Sequence, residues 1–233
     1  MQEGQERSRN QGMQHHDLVI LLHGILRTRK SMLKLADNLE KSGFLTLSFT
    51  YASTKKPIHE LADDVRAMMA VADDFHSACR VHFVTHSMGG LVLRHLLARH
   101  RDELGDRMGR VVMLGPPNQG SELADIFHRL PPFQKIFGPA GHQLTMKDNA
   151  AHIPQGRVDY DLGIIAGTKG WPYPDGQLLL KGPHDGRVTV ANTKLDGMKQ
   201  HMTLPVMHGL MMNNKDVQQN VAEFLMTGAF LKP

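Results

Sequence analysis

Ser87 stands in Val81-His-Phe-Val-Thr-His-Ser-Met-Gly-Gly, an extended run that gives way to two glycines and then to apolar residues at helical spacing, Met88, Leu91, Val92 and Leu96. The pattern predicts a strand, a tight turn and a helix, with the serine at the pivot. So sharp a turn holds its central residue in a strained backbone conformation and lifts the hydroxyl clear of the sheet. The amide of Met88 and the positive end of the helix dipole then face any negative charge that develops on a substrate oxygen. In the G-x-S-x-G pattern of such nucleophile turns, the first glycine is here Thr85. The same residues also suit a serine that only caps a helix, so its partners decide.

A serine hydroxyl needs a base to take its proton and a third group to orient that base. In sheets with this kind of turn the order along the chain is Ser, then Asp or Glu, then His. His208 follows the last β-rich run in Leu204-Pro-Val-Met-His-Gly, whereas His201 precedes that run and His184 comes early in the order. His208 is therefore the expected base. Asp185, in Pro-His-Asp-Gly-Arg-Val, is the favoured acid; Asp175 and Asp196 are rivals in Pro-Asp-Gly and Leu-Asp-Gly sequences that surface turns explain. After the first β-rich run, His23-Gly24-Ile25 lets the chain turn beneath a substrate, which makes the amide of Ile25 a second candidate donor beside that of Met88. None of the fifteen histidines forms a metal-ligand spacing with Cys or Glu, and no cofactor or metal is implied.

The elements that must position these groups alternate. Apolar or β-rich runs over 18–22, 44–49, 81–85, 111–114, 162–166 and 202–206 predict six strands. Met32, Leu35, Ala36 and Leu39 predict a helix ended by Gly43, and Pro57 opens a second with the stripe Ile58, Leu61, Ala62, Val65, Met68, Met69 and Ala72. The helix after Ser87 is expected to run to about Arg101, and Val217, Val221, Phe224 and Leu225 mark the last. Strand and helix in this alternation describe βαβ units, a parallel sheet with helices on both faces and ligands at the carboxyl ends of its strands. His23-Gly24, Ser87 and the segment after Leu114 all fall there.

The 233 residues suit one domain, expected over 17–233, with 1–16 as a disordered leader that lacks the apolar core of a secretory signal. No apolar run approaches the roughly 20 residues of a membrane span, which argues against a transmembrane protein. A single cysteine, Cys79, excludes an intrachain disulfide and agrees with a cytoplasmic setting. The net charge of +4 is scattered, without the basic and aromatic array of a nucleic-acid face. The one local cluster, Arg27, Arg29 and Lys30, reads as a solvated helix entrance, or as an attraction for anionic head groups.

Leu-Leu-His-Gly-Ile, Val-Thr-His-Ser-Met-Gly-Gly-Leu-Val, Pro-Pro-Asn-Gln-Gly-Ser and Val-Met-His-Gly together resemble the α/β-hydrolases, and within them small bacterial serine esterases and lipases. The resemblance covers about residues 17–230. It implies Ser87 as nucleophile, Asp185 as acid, His208 as base, and the amides of Ile25 and Met88 as the oxyanion hole. It further implies a cofactor-free ester hydrolase working through an acyl-enzyme on a small ester or lipid. The same chemistry would serve an acyltransferase or thioesterase, and a non-catalytic lipid-binding or interaction module is a third reading. Between Pro116 and Arg157 lies an apolar insertion after the fourth strand. It is read either as a crossover helix over 122–130 with an irregular connector or, by resemblance to lipases, as a cap over 117–157 with Phe127, Phe133 and Phe137 lining an acyl pocket. Asn118 to Ser121 would shape its entrance and Trp171 to Pro174 the opposite rim.

Overall fold

Leu18, Ile20 and Leu22 belong to one face of strand β1 (Leu18–Leu22), Val19 and Leu21 to the other, and all five are fully buried. A strand with no polar face needs cover on both sides. The computed structural model, which describes residues 17–231, places β1 inside one six-stranded sheet. Its other strands are β2 (Leu45–Ser48), β3 (Val81–His86), β4 (Met108–Leu114), β5 (Leu162–Gly167) and β6 (Gln200–Leu204). The order is β2-β1-β3-β4-β5-β6 and every neighbouring pair is parallel. The leader expected over 1–16 lies outside the described residues.

Pleating divides the core in two. Helices α1 (Leu33–Lys41), α2 (Ile58–Ala70), α3 (Asp73–Ser77) and α4 (Gly89–His100) follow the early strands. The stripe of α2 and the apolar side of α4 pack with Leu18, Ile20, Phe83, Val111 and Ile164 on one face. The stripe of α1 packs with Val19, Leu21, Val84 and Val112 on the other, together with Val217, Val221 and Phe224 of the last helix. Among the described residues no helix is long and apolar enough to cross a membrane.

Three details depart from the sequence expectation. Strand β6 begins and ends two residues earlier than its apolar run, because Pro205 has no amide to give to the ladder while an edge strand tolerates Gln200 and His201. His201 thus lies within the strand, where its Nε2 meets the Thr193 hydroxyl at 2.9 Å. The insertion after β4 begins with the expected helix, α5 (Glu122–Phe127), which stops short of Leu130, and in place of an irregular connector it continues in two more short helices, α6 (Pro131–His142) and α7 (Met146–His152). Ser121 and Thr145 cap α5 and α7 through their side chains, and prolines open α6, where missing amides cost nothing. Gly138, at φ +60°, kinks α6 beside the Thr54 carbonyl, where a Cβ would collide. Finally, Gly186 permits a turn after which the sequence suggests extended structure over 187–190, but this stretch makes only a single bridge, His184 to Thr189, before turning into a helix. It lies between α8 (Pro174–Leu179) and α10 (Lys215–Thr227) and is α9 (Val190–Thr193).

Candidate active site

The turn at Ser87 is built by close approach. Its amide donates to the Leu114 carbonyl at 2.9 Å, which ties the end of β3 to the end of β4, and its φ is +54°. Helix α4 then runs so near β1 that a Cβ on Gly89 would sit 2.6 Å from the Leu22 carbonyl oxygen and 2.8 Å from that of His23. Thr85 fits where a glycine is usual because the residue facing it is Gly90, whose Cβ would already lie 3.3 Å from the Thr85 hydroxyl.

A polar chain converges on this serine, with His208 just beyond β6 and Asp185 in the loop between α8 and α9, packed against the end of β5 at Gly167. His208 Nε2 lies 2.9 Å from Ser87 Oγ, and His208 Nδ1 lies 2.7 Å from Asp185 Oδ2. The carboxylate only accepts, so Nδ1 carries the proton and Nε2 is left bare toward the serine hydroxyl. Asp185 Oδ1 accepts from the amides of Arg187 and Val188, both at 2.9 Å, and the Asp185 carbonyl accepts from the His208 amide at 3.0 Å. Burial is the largest influence on the Asp185 carboxyl and alone would raise its pKa. The charge and hydrogen bond of His208 and the two amides together outweigh it and hold the group below the usual carboxylate value. Of the rival acids, Asp196 is exposed and bonds the next amide, Gly197, while Asp175 pairs with Arg187.

Two further residues fix this chain, and neither is singled out by sequence. Gly115, at φ +53°, passes behind it: a Cβ there would lie 3.0 Å from Asp185 Oδ2 and 3.1 Å from His208 Nδ1. Its signal is the glycine at the carboxyl end of β4, just before two prolines. His86 donates from Nε2 to the His208 carbonyl at 2.9 Å. Burial first, and then the neighbouring His208, push its pKa down to about 3, so the ring stays neutral.

The loop after β1 is held from β2. His23 stacks on Tyr51 at 4.0 Å, bonds the Gly24 carbonyl through Nδ1 at 2.8 Å and receives the Tyr51 amide on Nε2 at 3.3 Å, while the Tyr51 hydroxyl donates to the His23 carbonyl. Arg27 closes a turn onto Gly24, with Leu26 at φ +58° and its amide on Ser53 Oγ at 3.2 Å. Leu26 and Ser87 are the positive-φ residues other than glycine among the described residues, and both border the same cavity. The amides of Ile25 and Met88 donate to no protein group among the described residues. No sequence signal marks Tyr51 or Ser53, since their roles depend on contacts made across 28 and 27 residues.

Ser87, His208, Gly24 and Ile25 open into a cavity of about 630 Å³. Phe127, Phe133, Phe137, Leu123 and Leu144 of the three-helix segment and its flanks make its apolar wall, and the Phe133 and Phe137 rings stack at 4.4 Å. Tyr173, Asp175, Arg187 and Arg27 make the polar side, whereas Trp171 is exposed outside the cavity wall. Asn118 lies buried beneath the segment, its amide donating to the Thr193 carbonyl at 2.9 Å, and Ser121 borders the cavity. Among the described residues no three His, Cys, Asp or Glu side chains gather as a metal site.

A family model described as Domain of unknown function (DUF7379) matches residues 2–158. The chain belongs to that family. No curated protein matches it. Among solved structures, it is similar to the mature Bacillus licheniformis lipase BlEst2, with 18% identity, 95% of each chain covered and a TM-score of 0.69. It is also similar to the metagenomic carboxyl esterase MGS0156, with 16% identity over 94% of this chain and 72% of that one, at a TM-score of 0.68. The Paleococcus ferrophilus monoacylglycerol lipase gives 16% identity over 91% and 95%, at 0.59. At such identities the likeness concerns the fold, which is that of the α/β-hydrolases. Within DUF7379 the match ends before both Asp185 and His208, so the hydrogen-bonded chain from Asp185 to Ser87 is an observation of this structure alone.

Proposed function

We propose that the protein is a serine carboxylic ester hydrolase, and the observation that carries this reading is the unbroken Asp185–His208–Ser87 chain at 2.7 and 2.9 Å. Ser87 Oγ attacks the ester carbonyl carbon while its proton passes to His208 Nε2. Asp185 stabilises the imidazolium that forms. The amides of Ile25 and Met88, free of protein acceptors among the described residues, receive the developing oxyanion. The carbonyl–oxygen bond to the alcohol then breaks, and the departing oxygen takes the proton from His208. Water, deprotonated by His208, attacks the acyl-serine and releases the carboxylic acid. Residues 117–157 act as a cap on a single domain, with Phe127, Phe133 and Phe137 against the acyl chain.

The lipase and esterase folds of the structural relatives favour the same general chemistry. A fluorophosphonate probe and a p-nitrophenyl ester series from acetyl to palmitoyl, applied to wild type and Ser87→Ala, test it. Labelling and turnover confined to wild type are expected. Labelling without turnover of any ester would move the reaction to a thioester or to another acyl acceptor. Absence of both would overturn the hydrolase reading in favour of a binding module.

A further inference from the structure

The departing alcohol takes its proton from His208, so the alcohol portion of a substrate must lie on the side of His208 and Gly209. Two donors meet at that point. A Cβ on Gly209 would sit 2.6 Å from the Tyr173 hydroxyl and 3.1 Å from Arg27 Nη2, so the missing side chain leaves both groups facing one small space beside the catalytic histidine. The charges around it do not cancel. Arg187 lies over the Tyr173 ring at 4.3 Å and is neutralised by Asp175, its partner across the rim. Arg27 borders the cavity, is exposed, and pairs with no carboxylate among the described residues. Exposed Arg29 and Lys30 follow it and raise the local potential further. The strained Leu26 fixes where Arg27 leaves its turn.

We propose that Arg27 and Tyr173 form a head-group subsite, and that the substrates of this site are single-chain acyl esters bearing a phosphate on the alcohol portion. The inference rests on the ester-hydrolase reading for which side the alcohol takes. A guanidinium fork and a phenol reaching one point from different side chains match a tetrahedral oxyanion, which offers acceptor oxygens in several directions. A neutral alcohol would leave the Arg27 charge uncompensated. The apolar wall holds the acyl chain, so one molecule spans both halves of the cavity.

Binding tests this apart from turnover. Isothermal titration calorimetry reads occupancy directly. In the Ser87→Ala protein, an octyl ether of glycerol phosphate, which cannot be hydrolysed, should bind about tenfold or more tighter than the neutral octyl ether of glycerol. Arg27→Gln in the same background should collapse that ratio toward one, and Arg27→Lys and Tyr173→Phe should reduce it in part. The advantage should also shrink as salt rises. Equal binding of the two ethers, or a ratio unchanged by Arg27→Gln, overturns the subsite. Inorganic phosphate binding as tightly as the ether phosphate would assign the space to a free anion and overturn the lipid head group. Wild-type hydrolysis of p-nitrophenyl butyrate separates the two readings. Turnover there without a phosphate advantage sinks the subsite alone, and a phosphate advantage with neither turnover nor fluorophosphonate labelling sinks the hydrolase reading and the assignment of the acyl ester, leaving only a phosphate-binding space.

Discussion

The two halves of the cavity are made by opposite means. The polar half hangs on strand ends: the Ser87 amide is tied to β4, the Asp185 carboxylate accepts three hydrogen bonds, and its side chain is completely buried. The apolar half is carried by three short helices with a kink at Gly138, and Ile126, Leu130 and Ile136 remain about half exposed. Its polar anchors are few, among them Gln143 Oε1 accepting the Ile58 amide at 2.6 Å and Asn149 donating to the Pro117 carbonyl at 3.1 Å. Directional chemistry sits where backbone ladders fix direction, and shape-filling sits where only packing fixes it. Substitutions should therefore act as thresholds in the first half and as gradations in the second.

The largest effect breaks the polar half outright. On the proposed reading, in which nucleophile and base act as a unit, Ser87→Ala should lower kcat on p-nitrophenyl butyrate by about 10⁴- to 10⁶-fold. Its thermal midpoint should stay near that of wild type, since a single hydroxyl is removed without opening a cavity in the apolar core. Asp185→Asn should cost about 10⁴-fold, as an amide in this place favours the wrong imidazole tautomer. Full activity in that variant would move the acid role elsewhere. Gly115→Ala tests geometry without touching a reacting group: its Cβ must push on both the Asp185 carboxylate and His208. A loss of about 10²-fold in kcat, with about 1–3 kcal/mol of stability lost to the positive φ and the crowding, is the expected outcome. Denaturant melts beside the kinetics separate the two parts.

The apolar half should answer by degree. Phe133→Ala removes one of the two stacked rings and should lower kcat/KM on octanoyl and longer esters by about tenfold, with a smaller effect on acetyl. An equal loss on every chain length would mean that the three-helix segment supports the polar half instead of receiving the acyl chain.

How far the sequence carries follows the same division. The six strands and their parallel order are legible because buried strands write themselves as short apolar runs. The meeting of Ser87, Asp185 and His208 is legible because each stands after such a run or beside a turn glycine, and the structure joins the three by hydrogen bonds. The helix from Glu122 is expected from the sequence, but the two over 131–152 are hidden by their own prolines and glycines, which punctuate a loop and open or kink a helix equally well. Gly115, Gly209 and Tyr51 were silent for a different reason. The first two matter through a side chain they lack and the third through a neighbour distant in sequence, and neither leaves a periodic trace.

Acid should distinguish the two halves once more, through His86 and not through Asp185. Burial depresses the His86 pKa to about 3, so below the unfolded value of about 6.5 the unfolded chain binds a proton that the folded ring refuses. Stability therefore falls as pH falls from about 6.5 toward about 3. Asp185 runs differently: its depressed folded pKa adds stability above the unfolded value of about 3.9, and that contribution is lost only as pH drops through the folded pKa. Between pH 7 and 5 the His86 contribution alone amounts to about 2 kcal/mol at one and a half pH units below its unfolded value. His86→Gln keeps a donor for the His208 carbonyl and removes the titration, so its unfolding free energy should fall by about 2 kcal/mol less than that of wild type over the same interval. Urea melts at pH 7 and pH 5 on both proteins measure the difference. Parallel losses would place the acid sensitivity in another buried histidine, such as His95, which lies outside the cavity and whose pKa burial also lowers, to about 4.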